Sequence, residues 1–191
     1  MDLSGISTKF LGKKIQYFEA ITSTQEYVKE QEKLLNLIEG EIIFAERQIL
    51  GVGTHQRKWF TGKENNLAFS FVLYPNCNIS KLDRLTRVIA ESMVQAIKQM
   101  YLIRLDIKEP NDIMYKNKKM GGILTESITE GEQVKKVFIG IGFNVNQEKF
   151  PGNLGDIATS LKKEFKTEFP RKEILIRFLE IFEEQYLSLI K

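Results

Sequence analysis

The chain has 191 residues, 42% of them hydrophobic and 28% charged, a composition that suits one folded domain with a real core. A formal net charge of +3 is too small to indicate a nucleic-acid partner, and one cysteine with one histidine excludes an internal disulfide and the usual zinc sites. The sequence contains no secretory signal and no apolar run of membrane-spanning length, so we expect a cytoplasmic protein with no membrane partner.

The first predicted elements are a strand, a helix and a second strand. IQYFE, residues 15–19, predicts the first strand. The helix follows TSTQ, because Ser23 with Glu26 three residues later forms a capping-box pattern, and we expect Gly40 to end it. EIIFAERQ, residues 41–48, predicts a buried strand. The expected buried face of the helix consists of Tyr27, Leu34, Leu35 and Ile38.

A long loop separates the second strand from the next one. Residues 49–66 are rich in glycine and polar residues and show no period, and long loops in compact domains are often functional. Beyond the loop, NLAFSFVLY at 66–74 predicts a strand, and apolar residues at helical steps predict a helix over 80–100. IRLDI, residues 103–107, predicts a further strand.

The remaining sequence predicts a hairpin, a strand and a closing helix. DIMYKNKKMGGILTES, residues 112–127, has the pattern of a hairpin with a polar turn. VKKVFIGIGFNVN, residues 134–146, predicts a strand, and an amphipathic pattern from residue 171 onward predicts a long helix. Strands with helices inserted between them predict an α+β fold, in which helices cover a mixed or antiparallel sheet.

The segment KEPND, residues 108–112, is the first candidate functional motif. Its simplest interpretation is a bend at Pro110 followed by a hairpin. The functional interpretation is that Lys108 binds phosphate while Asp112 holds a metal ion. Lys119 on the returning strand precedes Gly121 and Gly122, and glycines leave space for a ligand lying flat on the sheet.

Two further motifs are weaker when taken alone. Gly140 and Gly142 in IGIGFNVN open the same face of a strand, but they do not fit a dinucleotide fingerprint because no helix start follows them. TSTQ, residues 22–25, is most simply a helix cap. The same helix N-terminus also offers free N–H groups to an anion or to a ureido-like polar group.

Taken in order, the motifs resemble those of the biotin protein ligase catalytic domain over roughly residues 15–165. The matching segments are TSTQE, ERQILGVGTHQRKW, NLAFSFVL, KEPND, KMGGIL and GIGFNVN. The resemblance implies the class II synthetase-like biotin/lipoate ligase fold. It also implies that ATP and Mg²⁺ activate biotin to biotinyl-5′-AMP, from which biotin passes to a lysine of a carboxylase's biotin carboxyl carrier domain. Members of the family often form homodimers.

The resemblance also implies roles for individual residues. Catalytic roles would fall to Lys119, Arg57 and Lys108. Biotin would contact Ser23, Thr24, Gln25, Gln48, Gly51, Gly53, Lys119, Gly121, Gly122, Gly140 and Gly142. ATP would contact Arg57, Trp59, Lys108, Asn111, Asp112 and Asn144, with Asp112 as the metal ligand.

The sequence departs from the family pattern in four respects. Where the family typically has GRGRxGRxW, Val52, Thr54 and Gln56 replace Arg, Arg and Gly. KEPND replaces KWPND, so Glu109 brings negative charge near the expected triphosphate. We also expect a single catalytic domain over 1–191, with no N-terminal winged helix and no C-terminal SH3-like domain, which excludes a repressor function. His55, within the loop, is interpreted as a solvated residue.

Two other functions remain open at this point. A lipoate or octanoate ligase or transferase would share the fold, although an RRxSGGG-type segment is absent. A non-catalytic biotin-binding relative is suggested by the altered loop and by Glu109. Preference for an acyl chain over biotin would favour the first, and biotin binding without adenylate formation would favour the second.

Overall fold

The computed structural model describes residues 1–54, 57–62 and 65–190, so the interpretations of His55 and Gln56 lie outside the described residues. Within these ranges the strands are β1 Ile15–Ile21, β2 Ile42–Gln48, β3 Leu67–Leu73, β4 Cys77–Asn78, β5 Asp106–Lys108, β6 Asp112–Tyr115, β7 Lys118–Glu130 and β8 Gln133–Phe143. The helices are α1 Thr24–Lys33, α2 Leu82–Tyr101, α3 Leu154–Ile157, α4 Leu161–Phe165 and α5 Arg171–Ile190. No helix in this part of the chain is long and apolar enough to span a membrane.

The eight described strands form one mixed sheet in the order β1-β2-β3-β8-β7-β6-β5, and β4 pairs with β8 beside this path. β1 and β2 run parallel, while the other pairs are antiparallel. The α+β prediction with a mixed sheet is therefore confirmed. The parallel pair arises because α1 connects β1 to β2 and returns the chain in the same direction.

Helices cover the two faces of the sheet unequally. The long helices α2 and α5 pack on one face and form the main core with large strand residues such as Phe69 and Phe71. The short helix α1 covers part of the other face through a smaller cluster of Val28, Ile43 and Val72 with Leu37 and Phe138. The sheet surface beside the N-terminal end of α1 is left to form a binding site.

The predicted boundaries differ from the structure at two elements. α1 ends at Lys33 and not at Gly40, because Leu35 takes a left-handed conformation (φ 56°) and the chain turns back to join β2. Leu34, Leu35 and Ile38, expected on the buried helical face, are exposed. The strand expected over 103–107 is instead the short β5, which ends at Lys108. The short elements β4, α3 and α4 were not predicted from the sequence.

The N-terminal segment, residues 1–12, is held against α5. The buried Glu183 carboxylate accepts hydrogen bonds from the backbone N–H groups of Phe10 (3.0 Å) and Leu11 (2.9 Å). Glu180, one turn earlier, accepts from the Ser7 hydroxyl at 2.6 Å. This end of the chain therefore belongs to the core side of the sheet.

Candidate active site

Two adjoining cavities lie on the α1 face of the sheet. The inner cavity, of about 40 Å³, has a floor of small residues from β3 and β8, namely Ser70, Gly140 and Gly142. The outer cleft, of about 740 Å³, extends toward β5, β6 and α3. Both cavities are lined by Gly53, Thr54, Trp59, Asn111 and Lys119. The cavities therefore share a wall that includes Lys119.

A chain of hydrogen bonds orders one side of the inner cavity. Oε1 of Gln48 accepts from the Thr24 backbone N–H at 2.8 Å and from the Thr24 hydroxyl at 2.9 Å. Because the Thr24 hydroxyl hydrogen is used in this way, Ser70 donates in its 2.8 Å bond with Thr24. The Gln48 amide is thereby oriented with Nε2 toward Gly51 and the Thr61 hydroxyl, 3.5 Å away.

The start of α1 has the predicted cap and places Gln25 in the inner cavity. The Ser23 hydroxyl accepts from the Glu26 backbone N–H at 3.4 Å, as the capping-box pattern predicts. Gln25 is 3% exposed and lines the inner cavity with Thr24. Ser23 is buried but does not line either cavity, because its side chain serves the helix end.

Residues 51–53 pair antiparallel with residues 57–59, and this pairing positions Trp59. The Gly53 N–H donates to the Arg57 carbonyl at 2.7 Å, and the Trp59 N–H donates to the Gly51 carbonyl at 2.8 Å. The Trp59 indole then lies against Gly142, where an added Cβ would stand 2.2 Å from the ring. Gly142 is therefore required for this tryptophan to rest on the sheet.

Lys119 and Asp112 form an ion pair in the wall between the two cavities. Lys119 Nζ lies 2.5 Å from Asp112 Oδ1 and 5.8 Å from the centre of a Trp59 ring. Both side chains are about one-third exposed, at 33% and 27%. The β6–β7 hairpin brings the two residues together, and the Asn111 amide fixes its start by donating to the Ile123 carbonyl at 2.7 Å.

The outer cleft contains the other predicted cations and a carboxylate that is paired with an arginine. Arg57 and Lys108 are exposed and line this cleft. Glu109, which the sequence places near the expected triphosphate, pairs with Arg87 of α2 at 3.0 Å. Arg87 also pairs with Glu91 at 2.8 Å, so helix α2 offsets only part of the negative charge that distinguishes KEPND from KWPND.

Asn144 contributes a buried amide to the outer cleft. Its Nδ2 donates to the Thr159 carbonyl at 3.0 Å, and its backbone N–H donates to the Met120 carbonyl. Its Oδ1 has no hydrogen-bond partner among the described residues, although Asn144 is only 3% exposed. A buried amide oxygen of this kind is a suitable acceptor for an amino group on a ligand.

The glycines predicted to lie beneath a ligand fall on different faces. Gly122, Gly140 and Gly142 line the inner cavity, whereas Gly121 points into the core, where an added Cβ would stand 2.7 Å from Phe143. This alternation follows from adjacent positions on β7. The space above Gly140 is used by Gln25, whose Oε1 would stand 2.8 Å from an added Cβ.

Sequence reasoning missed several residues that line the two cavities. Ser70 is the lone hydroxyl in the fully buried strand LAFSFVL, a signal that could have identified it. The apolar wall of the outer cleft comes from the segment around α3 and carries no comparable local signal. That wall consists of Phe150, Leu154, Ile157 and Ala158.

The chain is similar in sequence to several known proteins. The family model described as "Biotin/lipoate A/B protein ligase family" matches residues 17–144. The bifunctional ligase/repressor BirA of Bacillus subtilis is 37% identical over 184 residues, which cover 95% of this chain and 56% of that protein. The chain thus spans about half the length of this curated relative. The biotin–[acetyl-CoA-carboxylase] ligase of Paracoccus denitrificans is 33% identical over 105 residues, covering 54% of this chain and 43% of that one.

A solved structure gives the same result for the fold. The biotin protein ligase from Aquifex aeolicus, in complex with biotin and ATP, superposes with a TM-score of 0.80 and 32% sequence identity. The superposition covers 92% of this chain and 71% of that one. The two chains therefore share the class II synthetase-like fold, including its mixed sheet.

Proposed function

Because the chain belongs to the biotin/lipoate A/B protein ligase family, we propose that it is a biotin protein ligase. It would join biotin to ATP as biotinyl-5′-AMP and pass the biotin to a lysine of a carrier domain. The observation that carries the proposal is the position of Lys119, which lines both the polar inner cavity and the cationic outer cleft. A carboxylate held in one cavity and a triphosphate held in the other would meet at this lysine.

The inner cavity is suited to the ureido ring of biotin. The Gln48 amide N–H groups can donate to the ureido oxygen, and Thr24 and Ser70 hold this amide in place. At about 40 Å³ the cavity has room for only a few waters, so a bicyclic ring requires Trp59 to move away from Gly142. The proposal therefore includes movement of Trp59 when biotin enters.

Adenylation joins two anions, and the site supplies fixed positive charge for this step. A carboxylate oxygen of biotin attacks the α-phosphorus, the bond to the β-phosphate oxygen breaks, and pyrophosphate leaves. Lys119 would stabilise the carboxylate and the α-phosphate, while Lys108 and Arg57 would stabilise the remaining phosphates. The partnerless oxygen of Asn144 would accept from the adenine amino group.

Magnesium fits the residues that face the outer cleft. Asp112 offers one carboxylate there, and no group of three or more His, Cys, Asp or Glu side chains in the described ranges could hold a metal ion alone. Mg²⁺ is commonly bound by one or two carboxylates together with substrate phosphates. Asp112 would thus hold the ion jointly with ATP, and the ion would reduce the charge repulsion between the two substrates.

The second step transfers biotin to a lysine. The free amine attacks the carbonyl carbon of the adenylate, AMP leaves, and the amine loses a proton as the amide bond forms. The loop at 51–59 would cover the adenylate meanwhile and limit its hydrolysis. The name of the Paracoccus relative supports a carboxylase carrier domain as the acceptor, and the use of ATP is consistent with a cytoplasmic location.

A homodimer is a further part of the proposal. β1 lies at one end of the sheet and, among the described residues, pairs only with β2. A free strand edge can pair with a second copy of the chain. Sedimentation of the protein with and without biotin would measure whether its mass doubles, and a monomer under both conditions would exclude the dimer.

Pyrophosphate exchange tests the proposed reaction directly. Purified protein with Mg²⁺ should catalyse biotin-dependent exchange of pyrophosphate into ATP, and Lys119→Ala should abolish it. Thermal-shift measurements with biotin, lipoate and octanoate, each with ATP, separate the ligand classes. Absence of exchange above background, or stabilisation only by an acyl chain, would overturn the proposal.

A further inference from the structure

The amide of Gln25 has an orientation that its neighbours determine. Its Nε2 donates to Glu126 Oε2 at 2.9 Å and to the Phe138 carbonyl at 3.3 Å. A carboxylate and a backbone carbonyl only accept hydrogen bonds, so the end of the amide that faces them must be the NH₂ group. The oxygen, Oε1, therefore points the other way, toward Gly140.

Oε1 of Gln25 is a buried acceptor without a donor in the described part of the chain. Leaving such a group unsatisfied destabilises a protein, so its presence in a cavity wall indicates a ligand that supplies the donor. Oε1 would stand 2.8 Å from a Cβ added at Gly140, and the Ser70 hydroxyl would stand 3.4 Å from the same point. The acceptor thus lies on the floor of the inner cavity.

One charged residue outside the cavity, Lys29, holds Glu126 in place. Lys29 Nζ lies 3.0 Å and 3.1 Å from the two carboxylate oxygens of Glu126, and 2.8 Å from Glu26. Burial tends to lower the pKa of Lys29, but its hydrogen bonds to Glu26 and Glu126 outweigh this and raise it. Lys29 stands one helical turn after Gln25, so the two side chains reach Glu126 from the same face of α1.

We propose that Glu126 and Lys29 are positioning residues for substrate recognition, which hold the Gln25 amide so that its oxygen accepts a hydrogen bond from a ureido N–H of biotin. This inference rests on the proposed function and adds a specificity determinant to it. Gln48 presents an oriented donor and Gln25 an oriented acceptor, and a cyclic urea offers both complementary groups. Lipoate and octanoate have no N–H in the ring or chain, so they would leave the Gln25 oxygen unpaired.

A double-mutant cycle on biotin affinity tests the inference. Glu126→Gln replaces a group that only accepts with one that also donates, which leaves the Phe138 carbonyl as the one remaining obligate acceptor for the Gln25 amide. With the amide orientation weakened, the biotin Kd should rise about tenfold, the size expected for one hydrogen bond. Gln25→Met, which keeps the length of the side chain, should raise it by a similar factor. The double variant should be no worse than Gln25→Met alone, because Glu126 acts only through Gln25. Glu130→Gln, an exposed position on the same strand, is the matched control and should bind biotin like the parent protein.

A second measurement separates orientation from simple loss of structure. Biotin can be methylated at either of its two ureido nitrogens. The parent protein should bind weakly the isomer whose methyl group replaces the N–H that faces Gln25. Glu126→Gln should reduce the preference for biotin over that isomer while leaving affinity for the isomer nearly unchanged. If Glu126→Gln loses its cooperative thermal transition, the same cycle is run with Lys29→Met, for which a smaller change in the same direction is expected.

The outcomes distinguish this inference from the function on which it rests. The positioning role is supported if the losses of biotin affinity in the two single variants are non-additive and if Glu126→Gln reduces the preference for biotin over the methylated isomer. The positioning role is overturned if the two substitutions raise the biotin Kd by independent factors that multiply in the double variant. It is also overturned if Glu126→Gln weakens binding of biotin and of the methylated isomer equally. Either result leaves the biotin ligase proposal intact. Failure of the parent protein to bind biotin overturns both.

Discussion

Strands β3 and β8 present two faces that differ in residue size and polarity. Toward α2 and α5 they place large side chains such as Phe69 and Phe71, which are completely buried in the main core. Toward α1 they place Ser70, Gly140 and Gly142, which form the floor of the inner cavity. The same backbone therefore supports packing on one side and a binding site on the other.

The two faces should respond differently to substitution, one through stability and the other through ligand binding. Burial of large aromatic groups stabilises the folded state, whereas strand glycines and a partnerless amide oxygen destabilise it. We therefore expect substitutions on the core face to change the free energy of unfolding, and substitutions on the cavity face to change ligand binding.

The largest expected effect is on the core face. Phe69 packs against Phe178 with ring centres 5.8 Å apart, and Phe69→Ala should lower the free energy of unfolding by about 3–5 kcal/mol. Ser70→Ala, one residue later and on the cavity face, should change it by only about 1 kcal/mol. Denaturant unfolding of both variants measures the contrast, and similar losses in the two would break the distinction between faces.

On the cavity face, Gly142→Ala tests whether the floor of the inner cavity must be free of side chains. The new methyl group would stand 2.2 Å from the present position of the Trp59 ring, and after the ring moves away it would still occupy space on the floor that biotin needs. Biotin-dependent pyrophosphate exchange should fall at least about tenfold, the equivalent of about 1.4 kcal/mol, while the protein remains folded. Gly155→Ala, where the nearest atom would be 3.9 Å away, is the control and should retain exchange. Full activity in Gly142→Ala would show that biotin does not use the space above Gly142.

Movement of Trp59 can be observed directly, because it is the only tryptophan of the chain. If biotin displaces the ring from Gly142, addition of biotin should change the tryptophan emission in a saturable way. Octanoate should produce no such change at the same concentration. A calorimetric binding signal for biotin with unaltered emission would contradict the displacement and would require space for the ring elsewhere.

Local motifs predicted much of the site, while contacts between distant segments lay beyond them. Lys119 and Asp112 could be placed together because they lie on one hairpin, and the Ser23 cap depends on residues three apart. The glycine pattern indicated that space is needed above the sheet, but not that Trp59 and Gln25 use part of it. Those contacts join segments that are distant in sequence, so no spacing within a motif could reveal them.

The smallest expected effect again concerns the core side, where acid should loosen the N-terminal segment. Burial tends to raise the pKa of Glu180, but bonds from the Ser7 hydroxyl and N–H and from Arg177 outweigh it and hold the pKa below its ordinary value of 4.5. Stability from this carboxylate is therefore fully present above that value and is lost as the pH falls through the lowered pKa. Because the groups are near the surface, we expect this carboxylate to contribute less than about 1 kcal/mol to the free energy of unfolding.

Glu180→Gln should remove this part of the acid dependence of unfolding, whereas Glu184→Gln, exposed on the same helix, should not. An unchanged acid dependence in Glu180→Gln would assign the N-terminal contact to the buried Glu183 alone.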